Sequence, residues 1–301
     1  ANDKAYMKDW NTLAGSAFLL KYDVNGILQW KRMVTRSDAS GWGVSGNSVR
    51  TDSQGNVYMA GSISGTQVIQ TNGEGGLESV SIPGGLAASH AINDVLIVKY
   101  NSDGIYQSKT RFGGLNRQYC SDMFIDSQDN IFLTGRFLGD INLTGTTVSA
   151  LKGAYDVFIL KLDLNFNIVW DNYILGLGGA GSDNTSNHIV ANDDYLYLTG
   201  YFMDTTYFTA TDYAINDSIK DIYIAKYDKT NGEFLFALQA GGTLNDEGWG
   251  IAVDACENIF ATGYFTGSAY FGGDTLTGYY REIFLGKYNV HYSDFITDTA
   301  I

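Results

Sequence analysis

The amino-acid sequence predicts an all-β chain folded as a β-propeller of four-stranded antiparallel blades, with four full repeats and one partial one. Three observations carry this. One lysine-bearing apolar element is written five times, a second element ending in glycine recurs in phase with it, and polar turns separate short strands throughout.

The first element reads AFLLKYD at 17–23, DVLIVKYN at 94–101, DVFILKLD at 156–163, DIYIAKYD at 221–228 and EIFLGKYN at 282–289. Its lysines, Lys21, Lys99, Lys161, Lys226 and Lys287, are separated by steps of 78, 62, 65 and 61 residues. The unit is therefore a little over sixty residues, and its first copy carries an insertion. Similarity at a fixed period marks a repeat architecture. The second element reads DSQGNVYMAG at 52–61, DSQDNIFLTG at 126–135, NDDYLYLTG at 192–200 and DACENIFATG at 254–263. Each joins the end of one strand to a second strand through a polar turn, and Gly55 with its Asp and Asn neighbours suits left-handed turn positions. The lysine strand runs into a similar turn, DVNG at 23–26 or KTNG at 229–232, and then into an apolar strand, ILQW at 27–30 or EFLF at 233–236. Each repeat thus holds strands a and b across one turn and c and d across the other, which describes a propeller blade. A blade is covered on both faces, so its strands need nearly continuous apolar runs such as FLLKY and FILKL.

Composition agrees. Thirty-six Gly, 21 Tyr, 16 Phe and a single Pro in 301 residues favour many short strands and tight turns. Lys plus Arg total 19 against 33 Asp plus Glu, a net charge of −14, which repels phosphate backbones and argues against nucleic acid. No apolar stretch reaches the roughly 20 residues of a membrane helix. The sequence opens ANDKAYMKDW, without an initiator Met or a signal peptide, so a targeting segment has been removed or the chain is a fragment.

Blades are expected at 36–112, 113–175, 176–240 and 241–301, after a partial blade over 1–35. AYMKDWNTLAGSAFLLKY at 5–22 lines up with AYFGGDTLTGYYREIFLGKY at 269–288, which follows a strand b, so the chain enters a blade after its a–b hairpin. HYSDF at 291–295 is expected as the last strand d. Such a half blade leaves Phe18, Leu20, Ile27 and Trp30 without a neighbour on one side and an edge of open backbone groups. Further blades or a second chain are expected to cover it. Segment 62–92, with Gly73, Gly75, Gly76, Gly84 and Gly85, is longer than its counterparts and is expected to loop out at the blade edge between strands b and c, as a mobile or partner-contacting part.

The pattern D-x-F-x-x-K-Y-D-x-x-G, then G-G, then D-x-x-G-N-x-Y-x-T-G-x-F, resembles the bacterial β-propeller repeat family known as SBBP. The resemblance covers nearly the whole chain, is closest in the repeats beginning at Asp94, Asp156 and Asp221, and is loosest around 62–92. It implies the propeller fold and a secreted or surface protein, and it brings no catalytic residue with it.

Repetition separates scaffold from site, because a residue present in every blade serves the blade whereas a binding site breaks the repeat. The lysines could form a ring of cationic sites. The reading preferred here is structural: aliphatic stems pack between blades while the amines reach carboxylates such as the Asp opening the same strand. The Asp52, Asp126 and Asp254 series suits side chains bonding turn N–H groups. Calcium is conceivable on such acidic turns, but no complete calcium loop is present and no cofactor is expected.

Aligning strand a places Ser48, Asp122, His188 and Gly250 at one position near the propeller axis. The loops before it differ and offer Trp42, Arg117, Tyr119, Asp183, Asp246, Glu247 and Trp249 to a common rim, with His188 behind them. Aromatic faces beside carboxylates suit sugar rings and equally suit a peptide. His90, His188 and His291 fall in three phases of the repeat and do not converge; Cys120 and Cys256 lie at opposite ends of their blades, which disfavours a disulfide. The leading expectation is a secreted or surface propeller acting, without catalysis, as a scaffold, adhesion or protein- or glycan-binding module. The alternative is a polysaccharide-acting enzyme using rim carboxylates.

Overall fold

In a computed structural model, the described residues are 16–36, 44–64, 67–70, 77–80, 93–114, 116–143, 147–151, 154–177, 181–216 and 219–288. They form antiparallel β-sheets without an α-helix, and the architecture is a β-propeller.

β1 (Ala17–Tyr22) and β2 (Leu28–Arg36) take the places of strands c and d and are the described half of a blade. The first whole blade runs β3 (Ser45–Thr51), β4 (Val57–Ser64), then a small hairpin of β5 (Gln67–Gln70) and β6 (Leu77–Val80), then β7 (Asn93–Tyr100) and β8 (Tyr106–Phe112). The second runs β9 (Gln118–Ile125), β10 (Ile131–Leu138), the hairpin β11 (Asp140–Asn142) and β12 (Thr147–Ser149), then β13 (Tyr155–Leu162) and β14 (Ile168–Gly176). The third runs β15 (Thr185–Ala191), β16 (Tyr195–Phe202), the hairpin β17 (Thr206–Tyr207) and β18 (Tyr213–Ala214), then β19 (Asp221–Asp228) and β20 (Phe234–Gly242). The last has β21 (Glu247–Val253), β22 (Ile259–Phe271) and β23 (Asp274–Tyr288). The expected final strand at 291–295 lies outside the described residues. The innermost strands β3, β9, β15 and β21 pack in succession, each against the next.

The excursion between strands b and c does more than loop out. The β5–β6 hairpin pairs with β2 of the preceding blade (Val34↔Ile69), β17–β18 with β14 (Leu175↔Tyr207), and the far end of β22 with β20 (Gly241↔Tyr270). Each hairpin thereby caps the outer edge of the blade before it, which removes an open row of backbone groups. Within segment 62–92 the described parts are the end of β4 and this hairpin; the five glycines lie outside the described residues.

Most of the turns follow one rule; those led by Asn192 and Asp228 bond the N–H groups two and three residues on. Asp52 Oδ1 accepts the Gln54 and Asn56 N–H groups, and Asp126, Asp163 and Asp254 repeat the arrangement two and four residues on. The residue before the turn closes is left-handed: Gly26, Gly55 and Gly104, but also Asp129, Phe166 and Glu257, with φ of 63°, 66° and 61°. A side chain there costs about 1–2 kcal/mol, and each of the three is used across a blade junction. Asp129 accepts from the Ser53 backbone and hydroxyl, Glu257 pairs with Lys226 at 3.1 Å, and Phe166 meets Tyr58 edge-on. Conversely, Gly232 (φ +77°) lies on the Trp170 ring, whereas Gly26 (φ +78°) faces open space. Gly26→Ala should therefore cost about 1 kcal/mol from backbone strain alone, and Gly232→Ala roughly 2 kcal/mol more from overpacking. Urea unfolding of the two variants measures the difference.

The core lies between blades. Ala17 and Leu19 pack with Leu96, Val98 and Tyr100; Val95 and Ile97 with Phe158, Leu160 and Leu162; Val157 and Ile159 with Tyr223, Ala225 and Tyr227; Ile222 and Ile224 with Phe284. Strand c thus sends alternate side chains to the blade before and the blade after. Lys21, Lys161 and Lys226 serve these junctions, and they and Lys99 have partners other than the Asp that opens the lysine strand. That Asp is five residues away, about 16 Å along an extended strand. Lys99 instead reaches Asp52 of its own blade's a–b turn at 3.7 Å, Lys226 reaches Glu257 of the next blade, and Lys21 and Lys161 donate to the carbonyls of Ser102 and Lys229 in the next blade's c–d turn. Trp30 is likewise not left open: its Nε1 donates to Ser102 O at 3.0 Å, and its ring lies 6.5 Å from Tyr100.

Candidate functional site

Strand a of every whole blade carries a β-bulge at the same place. Pairing skips Asn47, Ser121, Asn187 and Trp249, each of which lies one residue before Ser48, Asp122, His188 or Gly250. A bulge re-aims side chains, and the strand opposite must be glycine. A Cβ on Gly61, Gly135, Gly200 or Gly263 would run into the carbonyl oxygen of Ser45, Tyr119, Thr185 or Glu247. This is the physical reason for the recurring glycine of the second sequence element.

The position behind the bulge builds a polar belt along the innermost strands. The Ser48 hydroxyl donates to Asp122 Oδ1 at 2.7 Å, and Arg50 reaches the same oxygen at 3.2 Å. Asp122 Oδ2 lies 3.4 Å from His188 Nε2 and accepts the Ile189 N–H; His188 Nδ1 accepts the Ile251 N–H at 3.1 Å. With Nδ1 accepting, the imidazole proton sits on Nε2 and faces Asp122. His188 is thereby a rivet between neighbouring strands.

The other rim candidates separate into distinct places. Trp42 lies outside the described residues. Asp246 is wholly buried, accepts the Gly242 and Thr266 N–H groups at 2.7 and 2.9 Å, and has its carboxyl raised by burial. It occupies the position of Gln118 and Asn184, buried amides that hold the same loop in their blades. Asp246 thus offers no surface to a ligand. Glu247 is also buried, 2.5 Å from Lys220 of the preceding blade, and its second oxygen accepts Trp249 Nε1 at 3.2 Å. Burial and the bond to Glu247 push the Tyr264 phenol up to about 12. A glycosidase pair needs two carboxylates facing a cleft, and these two are committed to the fold. Trp249, at the bulge, is 59% exposed and free to stack.

Arg117, Tyr119 and Asp183 do come together, with two residues the sequence reading missed. The Tyr119 and Tyr155 rings are 5.9 Å apart, and the Arg136 guanidinium lies 5.2 and 4.7 Å from their centroids. Arg117 bonds the Tyr155 and Tyr119 hydroxyls, which raises its already high pKa. Asp183 accepts the Tyr155 N–H at 3.1 Å and so anchors the floor of the cluster. The same three positions hold Thr185, Tyr201 and Lys220 in the next blade and Glu247, Tyr264 and Arg281 in the last. There, Lys220 sits 4.0 Å over Tyr201 and pairs with Glu247, and Arg281 sits 3.8 Å over Tyr264. At the Tyr119–Tyr155 cluster, by contrast, two arginines have no carboxylate ion pair among the described residues. The signal for Arg136 and Tyr155 was present in the repeat: each stands at a variable position, one after the strand-b glycine and one before the strand-c aspartate.

Among the described residues no three His, Cys, Asp or Glu side chains gather as a metal site. No family model matches the chain. An uncharacterized WD repeat-containing protein of Acanthamoeba polyphaga mimivirus is 23% identical over 88% of the chain, and the chain spans 22% of that protein's length. This relative supports a repeat protein of β-propeller type.

Proposed function

We propose that the chain is a non-enzymatic binding module, an SBBP-type propeller working outside the cell or at its surface. Its partner, a protein or glycan, presents carboxylates to Arg117 and Arg136 beside the rings of Tyr119 and Tyr155. The supporting observation is a pair of arginines with no carboxylate ion pair among the described residues, in a protein of net charge −14, where the next junction instead pairs Lys220 with Glu247. A bidentate guanidinium–carboxylate pair adds geometry to charge, and tyrosine faces accept a sugar ring or an apolar side chain.

Calorimetric titration with oligogalacturonate, with an acidic peptide and with a neutral cello-oligosaccharide tests the reading. One of the two acidic probes should bind with an affinity that falls as salt rises, and the neutral sugar should not. Arg117→Ala with Arg136→Ala should weaken that binding about tenfold or more, since a hydrogen bond to a charged group is worth about 1.5–3 kcal/mol. Thermal unfolding should stay close to that of the parent. Affinity unchanged in the double variant, or equal for the neutral sugar, would remove the proposal.

A further inference from the structure

The two ends of the blade series expose opposite halves of one and the same interface. At each internal junction, the strand-c residues equivalent to Ala17 and Leu19 pack onto the next blade's residues equivalent to Leu96, Val98 and Tyr100. All of the internal copies are buried: Val95, Ile97, Val157, Ile159, Ile222 and Ile224 on the donor side have at most 1% exposure. In the last blade the same positions are Ile283 and Leu285, and they are 85% and 78% exposed. In the half blade the receiving positions are Phe18, Leu20 and Tyr22, and they are 60%, 39% and 53% exposed. The turns tell the same story. Gly104 and Gly232 lie on the Trp30 and Trp170 rings of the blade before, while their counterpart Gly26 meets nothing within 4 Å. Among the described residues the two faces remain open together.

We propose that the chain associates head to tail with a second copy of itself, the Ile283–Leu285 face of one seated on the Phe18–Leu20–Tyr22 face of the other. The argument for this occupant is continuity: the pairing continues an interface already made four times within the chain, with the same strand, register and alternation of side chains. It is independent of any ligand at the Tyr119–Tyr155 cluster. Because the two faces differ, the contact is heterologous, and each added copy presents a fresh face.

The test uses the whole chain and two variants, Phe18→Asp with Leu20→Asp, and Ile283→Asp with Leu285→Asp. Each alters side chains already exposed to water, so each should fold, with a circular dichroism spectrum and unfolding temperature like those of the parent. Sedimentation equilibrium of the parent should show a mass that grows with concentration. Each variant alone should be monomeric, since every contact then has one spoiled face. Mixed in equal amounts they should form a 1:1 dimer and nothing larger, because one good tail meets one good head. A parent that is monomeric at all concentrations, or a mixture that stays monomeric, overturns the proposal. So does a variant that still self-associates.

Discussion

Gly200→Ala is expected to destabilise the protein by about 3 kcal/mol or more, although it adds a single methyl group. The new carbon would overlap the Thr185 carbonyl oxygen and stand 2.8 Å from its carbon and 2.9 Å from Ser186 Cα, backbone on every side. Flexible side chains can swing away from a methyl group; a bulged strand held by its own ladder and by the belt through His188 cannot. Gly46→Ala is the control. That glycine also lies beside a bulge, but its added carbon would rest at 3.4 Å from Ala17 Cβ and 3.5 Å from Met59 Sδ, ordinary contacts. Its cost should be within about 1 kcal/mol, and restricting the unfolded chain offsets part of that. Equal urea midpoints for the two variants would show that the bulge does not dictate glycine opposite it.

The pH dependence of stability should be inverted relative to most proteins, with a maximum near pH 4–5 and a decline toward neutrality. Burial pushes the Asp156 carboxyl up to about 6, although Gly176, Leu151 and Asn184 donate to it, and burial also raises Asp94 and Asp246. A carboxyl whose folded value is raised holds its proton better in the native state. Its stabilisation is therefore complete below the unfolded value near 4 and is lost as pH rises through 6, about 3 kcal/mol for Asp156. The turn aspartates act in the other direction. Burial opposes ionisation at Asp52 and Asp126 too, but bonds from Asn56 and Asn130 outweigh it and hold both carboxyls below their ordinary value. Their contribution is present above about pH 4 and is lost as pH falls through their lowered values. Thermal unfolding from pH 3 to 8 checks the sum, and Asp156→Asn, which cannot ionise, should flatten the limb between pH 4 and 7. A stability maximum at pH 7–8 would contradict this account.

Local chemistry was legible wherever a residue acts on its own few neighbours. The Asp-led turns satisfy their own N–H groups two and four residues on, so their spelling in DSQGN or DVNG is sufficient to place them. The propeller fold, and the order of the four main strands in the three middle repeats, followed because each repeat restates the same strands and turns. Phe18, Leu20 and Ile27, expected on an uncovered face, are exposed. Trp30 departed from that expectation because its partner, the Ser102 carbonyl, belongs to another blade 72 residues away.

The candidate site divides along the same line. Arg117, Tyr119 and Asp183 were found because they stand in two segments before strand a, 113–122 and 178–187, that differ from their counterparts, whereas Arg136 and Tyr155 lie within strands b and c and join them only through the register of β9, β10 and β13. Asp246 and Glu247 looked like rim carboxylates because charge is written in the sequence and burial is not. The sequence by itself determined the repeat, the turns and the alternation of apolar faces, all of which depend on neighbours close along the chain. Only the tertiary structure decided which glycines oppose a bulge, which hairpins cap the preceding blade, and which charges are paired across a junction, because those contacts join residues of different strands or different blades, such as Gly61 with Ser45, Ile69 with Val34 and Glu247 with Lys220.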